Sequence, residues 1–165
     1  MNELDVVGVR VEMPSNQPLV LLRESEGDRY LPIWIGAAEA AAIAFAQQGV
    51  VPPRPLTHDL LRDVVESLGQ TLDQVRISDL REGVFYAELV FSDGTEVSAR
   101  PSDAIALALR TGSPIFVEDA VLDVAGQEPV EEGQGAAEGE GEPPEEILQE
   151  FRAFIEDVNP EDFAS

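Results

Sequence analysis

The first third of the chain carries apolar residues among polar or small neighbours with a short, strand-like period. Leu4, Val6, Val9, Val11 and Met13 mark a first predicted strand over residues 4–13, and Pro14 to Pro18 a turn. Leu19 to Leu22 and Tyr30 to Ile35 follow as second and third strands, joined by the polar run Glu24 to Asp28. These three strands suit an antiparallel meander, and Pro32 places the third at an edge or a local irregularity, because proline has no N–H to give to a ladder. The period then changes. Ala37 to Gln48 is alanine-rich, contains Ile43 and Phe45, and closes at Gly49, which predicts a helix. After the stiff connector Val50 to Pro55, a second helix follows Thr57. Its Leu60, Leu61, Val64, Val65 and Leu68 form one apolar stripe, and Gly69 stops it.

Strand character returns over 72–80 and, more strongly, over 83–91. Asp93-Gly94 is a hairpin signal that folds Glu96 to Ala99 back onto the preceding strand. A third helix spans 102–110 and stops at Gly112, and Ile115-Phe116-Val117 reads as a last strand buried beside it. These elements define an α+β class: a mixed, twisted β-sheet with helices packed on it. Residues 1–125 form the domain. Residues 126–144 are mostly Glu, Gly, Ala and Pro, with Val130 the one bulky apolar side chain, and read as a flexible acidic linker. Within 145–165, Ile147, Leu148, Phe151, Phe154, Ile155 and Val158 fall at helical spacing. The expectation there is a C-terminal amphipathic helix that buries its apolar face against the domain, another copy or a partner.

Composition narrows the chemistry. With no cysteine, disulfides and thiolate metal sites are excluded. No apolar run approaches the roughly 18 to 20 residues of a membrane span, and the first residues are acidic where a signal peptide needs basic ones, so a cytoplasmic protein with no membrane partner is expected. The net charge is −23, and all ten basic residues are arginine, so catalytic lysines are excluded. Nucleic acid is therefore a partner that the charge disfavours.

Two short segments concentrate polar groups at helix entrances: Arg54-Pro55-Leu56-Thr57-His58-Asp59 and Arg100-Pro101-Ser102-Asp103. Thr57 and Ser102 suit N-caps, and Glu39, Asp59 and Asp103 suit the positive ends of helix dipoles without any ligand. Structural ion pairs Arg54–Asp59 and Arg100–Asp103 are the plain alternative to a site.

The segments Tyr30-Leu31-Pro32-Ile33-Trp34-Ile35-Gly36, Glu39-Ala40, Arg54 to Leu61, Phe85-Tyr86-Ala87 and Arg100 to Ala108 together resemble the bifunctional nuclease family over roughly residues 4–124. The closing Asn159-Pro160-Glu161-Asp162-Phe163 is similar to the tail of actinobacterial members. The resemblance implies a compact α+β domain, association as a homo-oligomer, and hydrolysis of phosphodiester bonds in DNA and RNA. It carries no agreed mechanism, so roles follow from residue chemistry. Glu39, His58, Asp59 and Asp103 are the candidate catalytic residues, and Arg54, Arg100 and Ser102 the candidate phosphate-binding residues. Glu39, Asp59 and Asp103 are candidate ligands for Mg²⁺ or another divalent cation. The competing expectation is a non-enzymatic regulatory or assembly domain that recruits a protein partner through its C-terminal helix.

Overall fold

The computed structural model describes residues 1–129 together with residue 149. The expected linker beyond residue 129 and the expected C-terminal helix except Gln149 therefore lie outside the described part. The strands are β1 (Asn2–Glu12), β2 (Gln17–Glu24), β3 (Tyr30–Trp34), β4 (Leu72–Arg81), β5 (Val84–Phe91), β6 (Glu96–Ala99) and β7 (Ile115–Val117). The helices are α1 (Ala37–Gln48), α2 (Thr57–Ser67), α3 (Pro101–Thr111) and α4 (Asp119–Ala125). All seven strands join one sheet in the order β3-β2-β1-β7-β4-β5-β6. Only the β4–β7 pair is parallel, so the sheet is mixed. The α+β class and the β1-β2-β3 meander are as the sequence implies, and β3 is an edge strand, the place where Pro32 costs no ladder bond.

Alternation decides which side of the sheet is covered. Val20 and Leu22, Leu31 and Ile33, Val75 and Ile77, Ala87 and Leu89, and Ile115 and Val117 are buried partners on one face. They form a single cluster with Ile43 of α1, Ile105 and Leu107 of α3, and Val121 and Leu122 of α4. Short β7 is central because the crossover from β6 through α3 returns the chain between β1 and β4. α1 and α3 end in glycines with left-handed backbone, Gly49 (φ 66°) and Gly112 (φ 70°), which side chains with a Cβ adopt at a cost.

One sequence expectation is corrected. Ser102 and Thr57 are not N-caps: α3 begins at Pro101 and α2 at Thr57, with Arg100 and Leu56 as the flanking cap residues and no side-chain cap hydrogen bond from either. Proline is well suited to the first helical position, where no N–H partner is required. The apolar stripe of α2 lies largely at the surface. No residue of α2 is fully buried, and Leu60, Leu61, Val64 and, just past the helix end, Leu68 are exposed, because α2 packs chiefly on α3 and only Val65 of the stripe meets the core cluster. Helix α4 had no counterpart in the sequence reading. Just past its end, Gln127 pairs with Tyr30 through two 2.7 Å backbone hydrogen bonds.

Candidate functional site

Glu39, Asp59 and Asp103 each occupy the third position of a helix, of α1, α2 and α3 respectively. A carboxylate there sits beside the free N–H groups of the first turn and the positive end of the dipole. Because α3 packs against both α1 and α2, the three helix starts are brought near one another.

Arg100, just before α3, joins two of them. Its Nε donates to Asp103 Oδ2 at 2.8 Å and its Nη2 to Glu39 Oε1 at 2.9 Å. The Arg100 side chain is 67% exposed, and its Nη1 has no partner among the described residues. On the other side of Asp103, Oδ1 lies 2.9 Å from Nε2 of His58, the second residue of α2, whose side chain is only 13% exposed. Burial raises the Asp103 carboxyl, but hydrogen bonds from Arg100 and His58 outweigh it, so Asp103 titrates below the ordinary carboxylate range. An ionised Asp103 only accepts. The contact therefore requires the proton on His58 Nε2, which leaves Nδ1 of the neutral ring as a lone pair.

Asp59 faces elsewhere. Its Oδ1 accepts from Arg110 Nε at 2.7 Å and its Oδ2 from the Leu56 backbone N–H at 3.0 Å. Arg110 also donates to the carbonyl oxygens of Ala106 and Ala42, so one guanidinium links α1, α2 and α3. The expected partner of Asp59, Arg54, is exposed and makes no hydrogen bond or ion pair among the described residues. Ser102 is buried in the first turn of α3 and makes no hydrogen bond to Glu39, His58, Arg100 or Asp103. Of the seven sequence candidates, direct contacts thus connect four: Glu39, Arg100, Asp103 and His58. Arg110 was not among the candidates. Its signal was present, a basic residue in the last turn of the same helix, but that position is equally well explained by the helix dipole.

A cavity of about 350 Å³ opens beside the Asp59–Arg110 pair, lined in part by Phe45, Val50, Pro55, Arg62 and Leu109. Neither His58 nor Asp103 lines it, so it is a separate place from the four-residue cluster.

The donor set does not suit a resident hard cation. Glu39 and Asp103 each commit an oxygen to Arg100, whose fixed positive charge lies between them, and Asp59 is committed to Arg110. Among the described residues, no group of three or more His, Asp or Glu side chains is arranged to hold a metal ion. No helix among them is long and apolar enough to cross a membrane.

A mixed sheet with α1, α3 and α4 packed on one face and an Arg-bridged cluster at converging helix starts is the architecture of the described residues, and comparison with known proteins gives its class. The family model of the bifunctional nuclease domain matches residues 20–129. The chain belongs to the bifunctional nuclease domain family. It is 56% identical over 167 aligned residues to an uncharacterized protein of Mycobacterium tuberculosis, covering 99% of this chain and 98% of that protein. It is also similar to Bifunctional nuclease 1 of Oryza sativa subsp. japonica, 28% identical, and to Bifunctional nuclease 2 of Arabidopsis thaliana, 27% identical. Each of those two alignments covers 70% of this chain but only 37% of the plant protein.

Proposed function

We propose that this protein hydrolyses phosphodiester bonds in DNA and RNA, with His58 as the proton-transferring group. The observation that carries this reading is the bonded series His58–Asp103–Arg100–Glu39 at the convergence of three helix starts. Family membership and the names of the plant relatives support the substrate class.

The chemistry follows from the groups. Neutral His58 accepts a proton at Nδ1 from a water molecule as that water's oxygen bonds to phosphorus. Asp103 fixes the tautomer and stabilises the imidazolium that forms. Arg100 offers its unpartnered Nη1 to a phosphoryl oxygen, where negative charge accumulates. The bond from phosphorus to the leaving oxygen breaks, and that oxygen takes the proton back from the imidazolium or from water. Glu39 holds the guanidinium from its other side.

One observation favours a second reading, a non-enzymatic regulatory or assembly domain that captures a protein partner. Arg29, Arg62, Arg76, Arg81, Arg100 and Arg110 are each bonded to a carboxylate, and they are spread over β2–β3, α2, β4 and both ends of α3. Such neutralised and dispersed cations supply little attraction for a polyanion.

The two readings separate in one assay. Purified protein is incubated with single- and double-stranded DNA and RNA, with chelator and with added Mg²⁺ or Mn²⁺, so that any need for a cation is read directly. Cleavage that co-purifies with the protein and falls in a His58→Ala variant supports hydrolysis. Absence of cleavage in every condition leaves the second reading.

A further inference from the structure

The face of the sheet opposite the helices is uneven. On its β4–β5 half it is polar, with Arg76 bonded to Glu88 across the strands and ion-paired to Glu96 and Glu118. On the β2–β3 half it is apolar. Leu19 pairs with Trp34 and Leu21 with Pro32, all four on the side away from the buried partners Val20, Leu22, Leu31 and Ile33. Trp34 is 47% exposed, and none of the described helices contributes to this side of the sheet. Large aromatic and aliphatic groups left together on a sheet face mark a surface that something covers.

We propose that the chain's own C-terminal segment, residues 145–158, docks on this face through its apolar stripe. Three observations select that occupant over a second copy or a foreign protein. First, the chain leaves the described fold at this place: Gln127 pairs with Tyr30 on the outer edge of β3, next to the apolar half. Second, the segment has what the face lacks. Ile147, Leu148, Phe151, Phe154, Ile155 and Val158 fall at helical spacing in the sequence, and a helix of these fourteen residues would be about 20 Å long. The distance from β3 across to β1 is only about 10 Å, and residues 130–144 reach it easily at roughly 3.3 Å per residue. Third, the face offers cations to an acidic segment. The segment carries Glu145, Glu146, Glu150, Glu156 and Asp157 against a single Arg152, and Arg10 and Arg23 lie on the same side as Leu19 and Leu21, with Asp5 opposite Arg23.

The protein contains one tryptophan, Trp34, and it sits in the proposed contact, so its fluorescence reports occupancy in the full chain. The expected result is a blue-shifted emission with weak acrylamide quenching, independent of protein concentration. A full-length Phe151→Asp/Phe154→Asp variant should shift the emission to the red and raise the quenching constant about threefold. A Leu21→Glu variant should do the same while its far-UV circular dichroism stays that of the parent, which separates undocking from misfolding. Solvent-exposed Trp34 in the parent, or quenching unchanged in the Phe151/Phe154 variant, overturns the proposal. Protection that disappears on dilution assigns the face to a second copy instead and overturns it too.

Discussion

Arg110 donates from Nε to Oδ1 of Asp59 across 2.7 Å, with the two side chains only 6% and 14% exposed. No residue of α2 is fully buried, so this ion pair is a principal fastening of α2 to the rest of the domain. Removing one member of a buried pair strands the other charge, which costs roughly 3 kcal/mol. Arg110→Met should therefore lower unfolding free energy by about that amount in urea titration. Replacing both members with apolar residues, Arg110→Met with Asp59→Leu, should recover much of the loss. The recovery stays incomplete because Asp59 also accepts from the Leu56 N–H.

Stability should depend on pH through the same carboxylates. Burial raises Asp59, but hydrogen bonds from Arg110 and the Leu56 N–H outweigh it, and Asp103 is lowered in the corresponding way by Arg100 and His58. A carboxyl lowered by folding stabilises fully above its unfolded value, about 3.9, and loses that contribution as pH falls through the folded value. The urea midpoint should thus vary little through these groups between pH 7 and about 5 and decline below about pH 4. In Arg110→Met the burial of Asp59 is opposed only by the Leu56 N–H and the charge of Arg62, so the decline should begin at higher pH.

Side chains that look equivalent in the sequence should behave differently. Val64 on α2 and Leu68 at its C-terminal cap are exposed, whereas Leu107 on α3 is fully buried. Val64→Gln or Leu68→Gln should change the stability of the single chain by no more than about 0.5 kcal/mol. Leu107→Ala should cost on the order of 3 kcal/mol, because it removes apolar contacts and leaves a cavity. Thermal and chemical denaturation at low protein concentration would measure both.

This contrast shows where the sequence was legible. Strand order within β1-β2-β3 followed from alternation and turn residues, and Pro32 pointed to an edge or a local irregularity at β3, of which the fold takes the edge. The stripe of α2 has clear helical periodicity, but periodicity gives the shape of an apolar face and not what it meets. Helix α4 went unread because seven residues, Asp119–Ala125, give too short a window for a period, and only Val121 and Leu122 are buried in it. At the site, the pairing of Arg100 with Asp103 is local and was readable from three-residue spacing. Arg100 to Glu39 and His58 to Asp103 join different helices, and their proximity depends on how α1 and α2 flank α3. Asp59 took Arg110, from the far end of α3, rather than nearby Arg54, because α2 packs against the body of α3.

Arg100 should matter more to function than to folding. Its side chain is mostly exposed, so solvent screens its pairs with Asp103 and Glu39, and Arg100→Lys should lower stability by less than about 1 kcal/mol. A lysine carries the charge without the planar fork, so it cannot hold Asp103, Glu39 and a phosphoryl oxygen together. Hydrolysis of DNA and RNA by this variant should fall by roughly 100-fold, mainly in kcat. Steady-state kinetics beside a denaturation curve would separate the two effects.

The most direct measurement is the single-turnover rate of phosphodiester cleavage by the parent and by His58→Ala, each purified to constant specific activity and shown to be folded. Proton transfer by a positioned side chain contributes on the order of 100-fold or more, so the variant should be slower by at least that factor, with Asp103→Asn falling in between. Equal rates in the parent and His58→Ala would contradict the assignment of His58 as the proton-transferring group.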